Sequence, residues 1–295
     1  MTEQALTLPA PAKINLALHV TGRRSDGYHL LDSLVVFAGH GDRVTAASAE
    51  ADGFAVGGPF AAGVPLDGSN LVVRARDLLR AAFPAATRRP VHILLEKNLP
   101  PASGIGGGSS DAAAALRALR AVWGLDLPAH EMMRLAAPLG ADLPMCVAAR
   151  PLIARGIGGE IAPVEGLPRL PLVLVNPGVP VSTPDVFRRL ARRDNAPLPP
   201  LPARLGPAAL AGWLAAARND LEAPAIAVAP AIAEARAAIR AEGAALARMS
   251  GSGATCFGLF MTQADAAGAA QRIASARPGW WVVATHSTEA GHART

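Results

Sequence analysis

The chain has one tyrosine, two cysteines and, among its 28 Lys and Arg residues, only two lysines. Each scarcity excludes something. Cys146 and Cys256 lie far apart with no nearby partner, which gives neither a disulfide framework nor a zinc-ligand spacing; they read as buried thiols. No apolar run reaches the ~18 residues of a membrane span. The opening MTEQALTLPAPAKINL lacks a basic start and an apolar stretch, so neither membrane insertion nor export is expected, and the chain is expected in the cytoplasm. The formal charge of +5 is spread thinly, without a polybasic block, so no nucleic-acid surface is expected. No feature of the sequence speaks to oligomeric state. Half the residues are hydrophobic (51%) and the length is 295, enough for a sizeable core and two modest domains. Against an arginine-rich background, Lys13 and Lys97 stand out as positions where arginine would not serve.

Strand-like and helix-like segments alternate. KINLALHV (13–20) puts Ile14, Leu16, Leu18 and Val20 on one face and Lys13, Asn15 and His19 on the other. Further strands are predicted at 30–37, 42–46, 91–96, 172–175 and 280–285. Helices are predicted at 70–82 with Asn70 as N-cap, at 110–123 with Gly124 as its stop, and at 128–139, 208–217, 231–242 and 264–276. The proline-rich stretch 197–202 reads as a surface loop. The pattern is that of an α+β chain of two lobes, joined between 155 and 175.

The stretch LPPASGIGGGSSDAAAALRAL, residues 99–119, places four glycines and three serines before an alanine-rich helix. A helix start leaves backbone N–H groups unpaired and favours negative charge. Glycines 104, 106, 107 and 108 remove the Cβ atoms that would hold an anion off and permit positive φ. Ser109 and Ser110 add hydroxyls at the helix cap, suited to a phosphate or to Mg²⁺. A plain strand-to-helix turn needs one or two glycines, so phosphate binding is the stronger reading. A Walker A loop is excluded, because Ser109 follows Gly108 where lysine is required. A dinucleotide-binding fingerprint starting at Gly104 fails at its third glycine, where Ser109 stands, and remains a distant alternative.

Three ordered segments, PAKINLALHV (11–20), LPPASGIGGGSSDAAAAL (99–116) and MSGSGATCFGLF (249–260), resemble the three motifs of the GHMP kinase superfamily, ATP-dependent kinases of small molecules. The resemblance runs from about residue 9 to 285. It implies a two-lobed α+β fold: an N-terminal α+β lobe (1–165) with the ATP loop, a ferredoxin-like C-terminal lobe (166–295), and an active site in the cleft between. TGRRSDGYHLLDSLV, LGADLPMCV and NPGVPVSTPDVF resemble the branch acting on the 2-hydroxyl of 4-diphosphocytidyl-2-C-methyl-D-erythritol, in the non-mevalonate isoprenoid pathway. The implied partner is therefore a small molecule with a cytidine diphosphate moiety. Ala102 and Ser103 depart from the pattern, standing where relatives often have glycine.

On that resemblance, ATP binds along Pro100, Pro101, Ala102, Ser103, Gly104, Ile105, Gly106, Gly107, Gly108, Ser109 and Ser110, with Mg²⁺ held through its phosphates and by Ser109 or Ser110. Asp142, in GAD, is the implied general base; read alone it serves equally well as an N-cap. Lys13 is the implied cation beside the reacting groups. Asn15, Tyr28 and His29 are the implied cytidyl pocket, with Thr183 close by. Read alone, Tyr28 is a partly buried loop aromatic, His19 a satisfied core or edge histidine, and Lys97 a solvated side chain or a nucleotide-edge contact. Gly251–Gly253 reads as a turn or as backbone approaching a ligand or the first glycine loop, and Asn219 as an anchor of the lobes or a substrate contact. Two alternatives stay open: a kinase of another small alcohol such as homoserine, which has no base to stack on Tyr28, and a silent nucleotide sensor, which would be expected to lose Lys13 or Asp142.

Overall fold

The computed structural model describes residues 5–288. In chain order its elements are β1 (Leu6–Arg23), β2 (His29–Ser48), β3 (Gly53–Gly57), α1 (Leu71–Ala82), β4 (Val91–Glu96), α2 (Gly107–Val122), α3 (Ala129–Ala136), α4 (Leu143–Ala148), β5 (Leu152–Gly156), β6 (Glu160–Pro163), β7 (Pro171–Asn176), α5 (Thr183–Arg188), α6 (Pro207–Ala216), α7 (Glu222–Val228), α8 (Ala231–Ala241), β8 (Leu246–Met249), β9 (Cys256–Leu259), α9 (Gln263–Ala276) and β10 (Trp281–His286). The fold is α+β, as expected. Among the described residues, no helix is long and apolar enough to cross a membrane. Two compact units emerge. The first takes the chain up to Ala12, Gly41–Pro101 and Gly106–Ala149; the second takes Lys13–His40, Ala102–Ile105 and the chain from Arg150 onward.

In the first unit β4 pairs in parallel with β3 and antiparallel with the second half of β2. Its sequence VHILLE alternates as a half-buried strand must, with Val91, Ile93 and Leu95 inside and His92, Leu94 and Glu96 outside. Asn70 caps α1 by accepting from the Val72 amide at 2.9 Å, as the sequence predicts. Helices α1 and α4 pack on α2. The run Ala112–Ala115 is wholly buried, because methyl side chains let neighbours approach α2 on more than one side. Leu116 and Leu119 are also fully buried, each stabilising the unit by about 1.5–3 kcal/mol relative to exposure.

The second unit contains the first half of β2 paired with β5, and β5 with β6. It also contains an antiparallel sheet of order β10-β7-β9-β8. With α8 between β7 and β8 and α9 between β9 and β10, this is the βαββαβ ferredoxin-like arrangement. Helices α8 and α9 cover the sheet, and Val173, Val175, Ile232, Ile239 and Ile273 fill the layer between.

One expectation needs correction. The strands predicted at 30–37 and 42–46 are one strand, β2. Its glycines do not break it; they allow close approach. A Cβ on Gly39 would lie 2.7 Å from His286 Nε2, and one on Gly41 would lie 2.2 Å from the Ala10 carbonyl oxygen. The polar residues of 13–20, Lys13, Asn15 and His19, are buried along with the apolar face. His19 is a satisfied core histidine, with Nδ1 2.9 Å from the Ala196 carbonyl and Nε2 accepting from the Arg218 amide at 3.0 Å. Both cysteines are buried thiols.

Candidate active site

The glycine stretch enters from β4 and leaves as α2. The helix begins at Gly107, three residues before the predicted Ser110, and its N-cap is Gly106 in the left-handed region (φ +65°) with no side-chain cap. Ser109 and Ser110 therefore lie inside the first turn and do not cap it. The Ser110 amide donates to the Gly106 carbonyl at 2.9 Å, which leaves the amides of Gly107, Gly108 and Ser109 as the orphan donors of the helix start. Gly108 is exposed, and the nearest atom to a Cβ built there is Leu71 Cδ1 at 3.7 Å. Bare donors, a helix dipole and an open approach suit an anion. Ser110 is buried, and its hydroxyl donates to the Pro11 carbonyl at 2.7 Å. That contact fixes its rotamer, and Cys146 Sγ lies 3.5 Å from the same oxygen.

Lys97 is 4% exposed, so of its two readings the solvated side chain is not realised. Its ammonium pairs with Asp42 and, at 2.9 Å, with Asp111. The other Asp42 oxygen accepts from the amides of Asn98 (2.5 Å) and Leu99 (2.8 Å). Burial of an ammonium is tolerable here because carboxylates surround it.

Asp142 stands at the N-cap position of α4, and its side chain makes no capping hydrogen bond there.

In the second unit, the middle of the glycine stretch is held by backbone. Ser103 O accepts from Thr255 N at 3.1 Å, and Ile105 O accepts from Lys13 N at 2.8 Å. The turn between β8 and β9 lies against Gly104: a Cβ there would sit 2.6 Å from Gly253 O and 2.7 Å from Ser250 O. The third glycine motif thus approaches the first. Asn219 anchors that turn, donating to Met249 O (2.8 Å) and Gly251 O (2.9 Å). The hydroxyls of Thr183 and Ser252 are 2.7 Å apart, which ties Thr183 to the same turn. Asn15 accepts nothing through its buried Oδ1; its backbone amide donates to Ser250 Oγ and its Nδ2 to Ser33 Oγ.

Next to this lies an aromatic pair that the sequence reading missed. His29 stacks on Phe187 with centroids 4.6 Å apart and planes at 23°, while Tyr28 is 60% exposed. Burial first, then Arg23 and Arg193, pull the His29 pKa below its ordinary value, so the ring favours the neutral form. Its Nε2 is buried without a hydrogen-bond partner. Phe187 lies four residues after Thr183 in STPDVF, one helical turn along α5, and that spacing was the available signal.

The model for the GHMP kinases N terminal domain matches residues 70–150, and that for GHMP kinases C terminal matches 204–278. The chain belongs to the GHMP kinase family. The 4-diphosphocytidyl-2-C-methyl-D-erythritol kinase of Mesorhizobium japonicum is 57% identical over 281 residues, which are 95% of each chain. That of Brucella abortus is 56% identical over 287 residues, 96% of this chain and 95% of its own. A crystal structure of 4-(cytidine 5'-diphospho)-2C-methyl-D-erythritol kinase superposes with a TM-score of 0.78 at 36% identity, covering 96% of this GHMP kinase and all of that chain. Homoserine kinase from Cytophaga hutchinsonii, at 16% identity and a TM-score of 0.67 over 98% of this chain and 96% of its own, shares the fold.

Proposed function

We propose that this GHMP kinase transfers the γ-phosphoryl group of ATP to the 2-hydroxyl of 4-diphosphocytidyl-2-C-methyl-D-erythritol, in the non-mevalonate route to isoprenoid precursors. The observation that carries the reading is 57% identity along 95% of both chains to a protein bearing that kinase name. The proposal places the enzyme in the cytoplasm, where its charged, soluble substrates are. It divides the lobes near 165/166, a boundary that falls between the family segments at 70–150 and 204–278.

Phosphoryl transfer needs positioning and charge compensation more than covalent chemistry. Residues 100–110 hold the triphosphate, with the bare amides of Gly107, Gly108 and Ser109 facing its oxygens. Among the described residues no cluster of His, Cys, Asp and Glu is built to hold a metal. Mg²⁺, which neutralises phosphate charge when bound, would accordingly be held by phosphate oxygens with a hydroxyl from Ser109 or Ser110. Asp142 takes the proton from the attacking hydroxyl. The Lys13 ammonium offsets charge on the reacting oxygen. Tyr28 and the His29 ring present aromatic faces to the cytosine, His29 Nε2 and Asn15 Oδ1 offer unused polar atoms to its edge, and Thr183 lies at the turn beside them.

The test is ADP release with Mg·ATP and four alcohols: the cytidyl compound, homoserine, mevalonate and galactose. Turnover of the cytidyl compound alone is expected, with Asp142→Ala slower by roughly 10²–10⁴-fold. Turnover of homoserine instead would refute the cytidyl pocket. No turnover with nucleotide still bound would favour a sensor.

A further inference from the structure

The phosphate-transfer machinery leaves one buried charged cluster without a task. Asp42 on β2, Lys97 just past β4 and Asp111 in α2 are 1%, 4% and 3% exposed. Buried ion pairs are weak devices for stability, because desolvation offsets most of their attraction. Their placement is more informative. Lys97 stands immediately before the glycine stretch and Asp111 immediately after Ser110, so their 2.9 Å contact joins the two ends of residues 98–110. Asp42 secures the entry a second time by accepting from the amides of Asn98 and Leu99. The Lys97 backbone is fixed as well: its N–H donates to Gly57 O at 2.8 Å and its carbonyl accepts from Phe60 N at 3.1 Å. The charged heads lie directly behind the helix start, since a Cβ on Gly107 would meet Lys97 Nζ at 3.3 Å and Asp42 Oδ2 at 3.7 Å.

We infer that the Asp42–Lys97–Asp111 cluster is a clamp that closes the mouth of the glycine loop and presets its amides for phosphate, making Lys97 and Asp111 positioning residues for ATP. A loop of bare glycines has the greatest conformational freedom to lose on binding. Fixing both of its ends beforehand removes part of that cost from the binding step. The inference rests on reading 100–110 as the nucleotide site.

The test uses the full chain and three variants. Asp111→Ala removes the exit contact. Asp111→Asn keeps an oxygen acceptor for Lys97. Lys97→Met with Asp111→Leu replaces both sides of the exit contact by apolar groups of similar size, while Asp42, left without its ammonium, still accepts from the Asn98 and Leu99 amides. Amide hydrogen exchange in the nucleotide-free protein, calorimetric binding of Mg·ATP without the alcohol, and KM for each substrate are measured. In the alanine and double variants, exchange at 100–109 is expected to quicken, and Kd and KM for ATP to rise, by about tenfold. KM for the alcohol is expected to stay within about twofold, and Asp111→Asn to recover most of the loss. Unchanged loop exchange in both variants would overturn the clamp, as would equal rises in both KM values. Absence of ATP binding by the wild type would refute the nucleotide site itself, while loop exchange would still judge the clamp.

Discussion

Replacing Gly104 or Gly108 by alanine separates a glycine required by packing from one required by a ligand. At Gly104 the backbone has φ +76°, a region that costs an alanine about 1–2 kcal/mol. The new Cβ would also meet Gly253 O at 2.6 Å, Ser250 O at 2.7 Å and Gly253 N at 2.8 Å. These are backbone atoms of a turn whose Met249 and Gly251 carbonyls accept from Asn219, and they cannot swing aside. Forcing them apart costs about 1–3 kcal/mol, so the total is about 2–5 kcal/mol. That corresponds to a fall in melting temperature of roughly 5–15 °C, with activity lost alongside. Gly108 is different: it lies in the first turn of α2, and its nearest contact would be an ordinary 3.7 Å. Alanine there should leave stability unchanged or raise it by up to about 1 kcal/mol, since alanine favours helix and has less unfolded-state freedom. If a phosphate must reach the amides at this position, KM for ATP should still rise about tenfold. Calorimetric melting and steady-state kinetics on both variants give the answer. A Gly108→Ala enzyme with unchanged KM for ATP would refute the ligand argument, and a Gly104→Ala enzyme with wild-type melting would refute the packing one.

Phe187→Ala removes the face on which His29 stacks, and should raise KM for the cytidyl substrate about tenfold while leaving KM for ATP unchanged; equal changes in both would point to unfolding. The lowered His29 pKa has a signed consequence. Below the ordinary value of 6.5 the unfolded chain takes up the proton more readily than the folded one, so this contribution to stability is full above 6.5 and lost as pH falls through the folded value. Melting temperatures of His29→Gln and wild type should therefore diverge between neutral and mildly acid pH, and parallel curves would contradict the assignment. Asp52 works at lower pH. Its hydrogen bond with Arg80, aided by the Val91 amide and opposed by burial, holds its pKa at about 2 against 3.8. Its contribution is present above 3.8 and lost as pH falls through about 2. It amounts to about 1 kcal/mol after solvent screening, so Asp52→Asn should flatten that part of the acid melting curve.

Much of the fold was legible where local chemistry decides. Strand β4 follows from the alternation of VHILLE, and α1 from Asn70 and the apolar spacing behind it. The short elements were not legible: α5, α7, β8 and β9 run for seven residues or fewer. A segment that short has no intrinsic stability and is set by what packs on it. In β2 the glycines at 39 and 41 looked like punctuation, because a sequence does not show that His286 and Ala10 need the space.

The site divides on the same line. Glycine density marks a candidate anion loop because the local residue types carry the chemistry themselves. The burial of Lys97 was not legible because its partners lie 55 and 14 residues away, and no window of sequence brings Asp42, Lys97 and Asp111 together. The loop's glycines, alike in sequence, answer to different constraints. Gly104 is required by the Ser250–Gly253 backbone, Gly106 by its left-handed cap and Gly107 by the charged heads behind it. Among the described residues nothing requires Gly108. An exposed glycine at the second position of a helix, where alanine would be more stable, costs the fold stability that no neighbour returns, and the remaining reason to keep it bare is a ligand that must come within hydrogen-bonding distance of its amide.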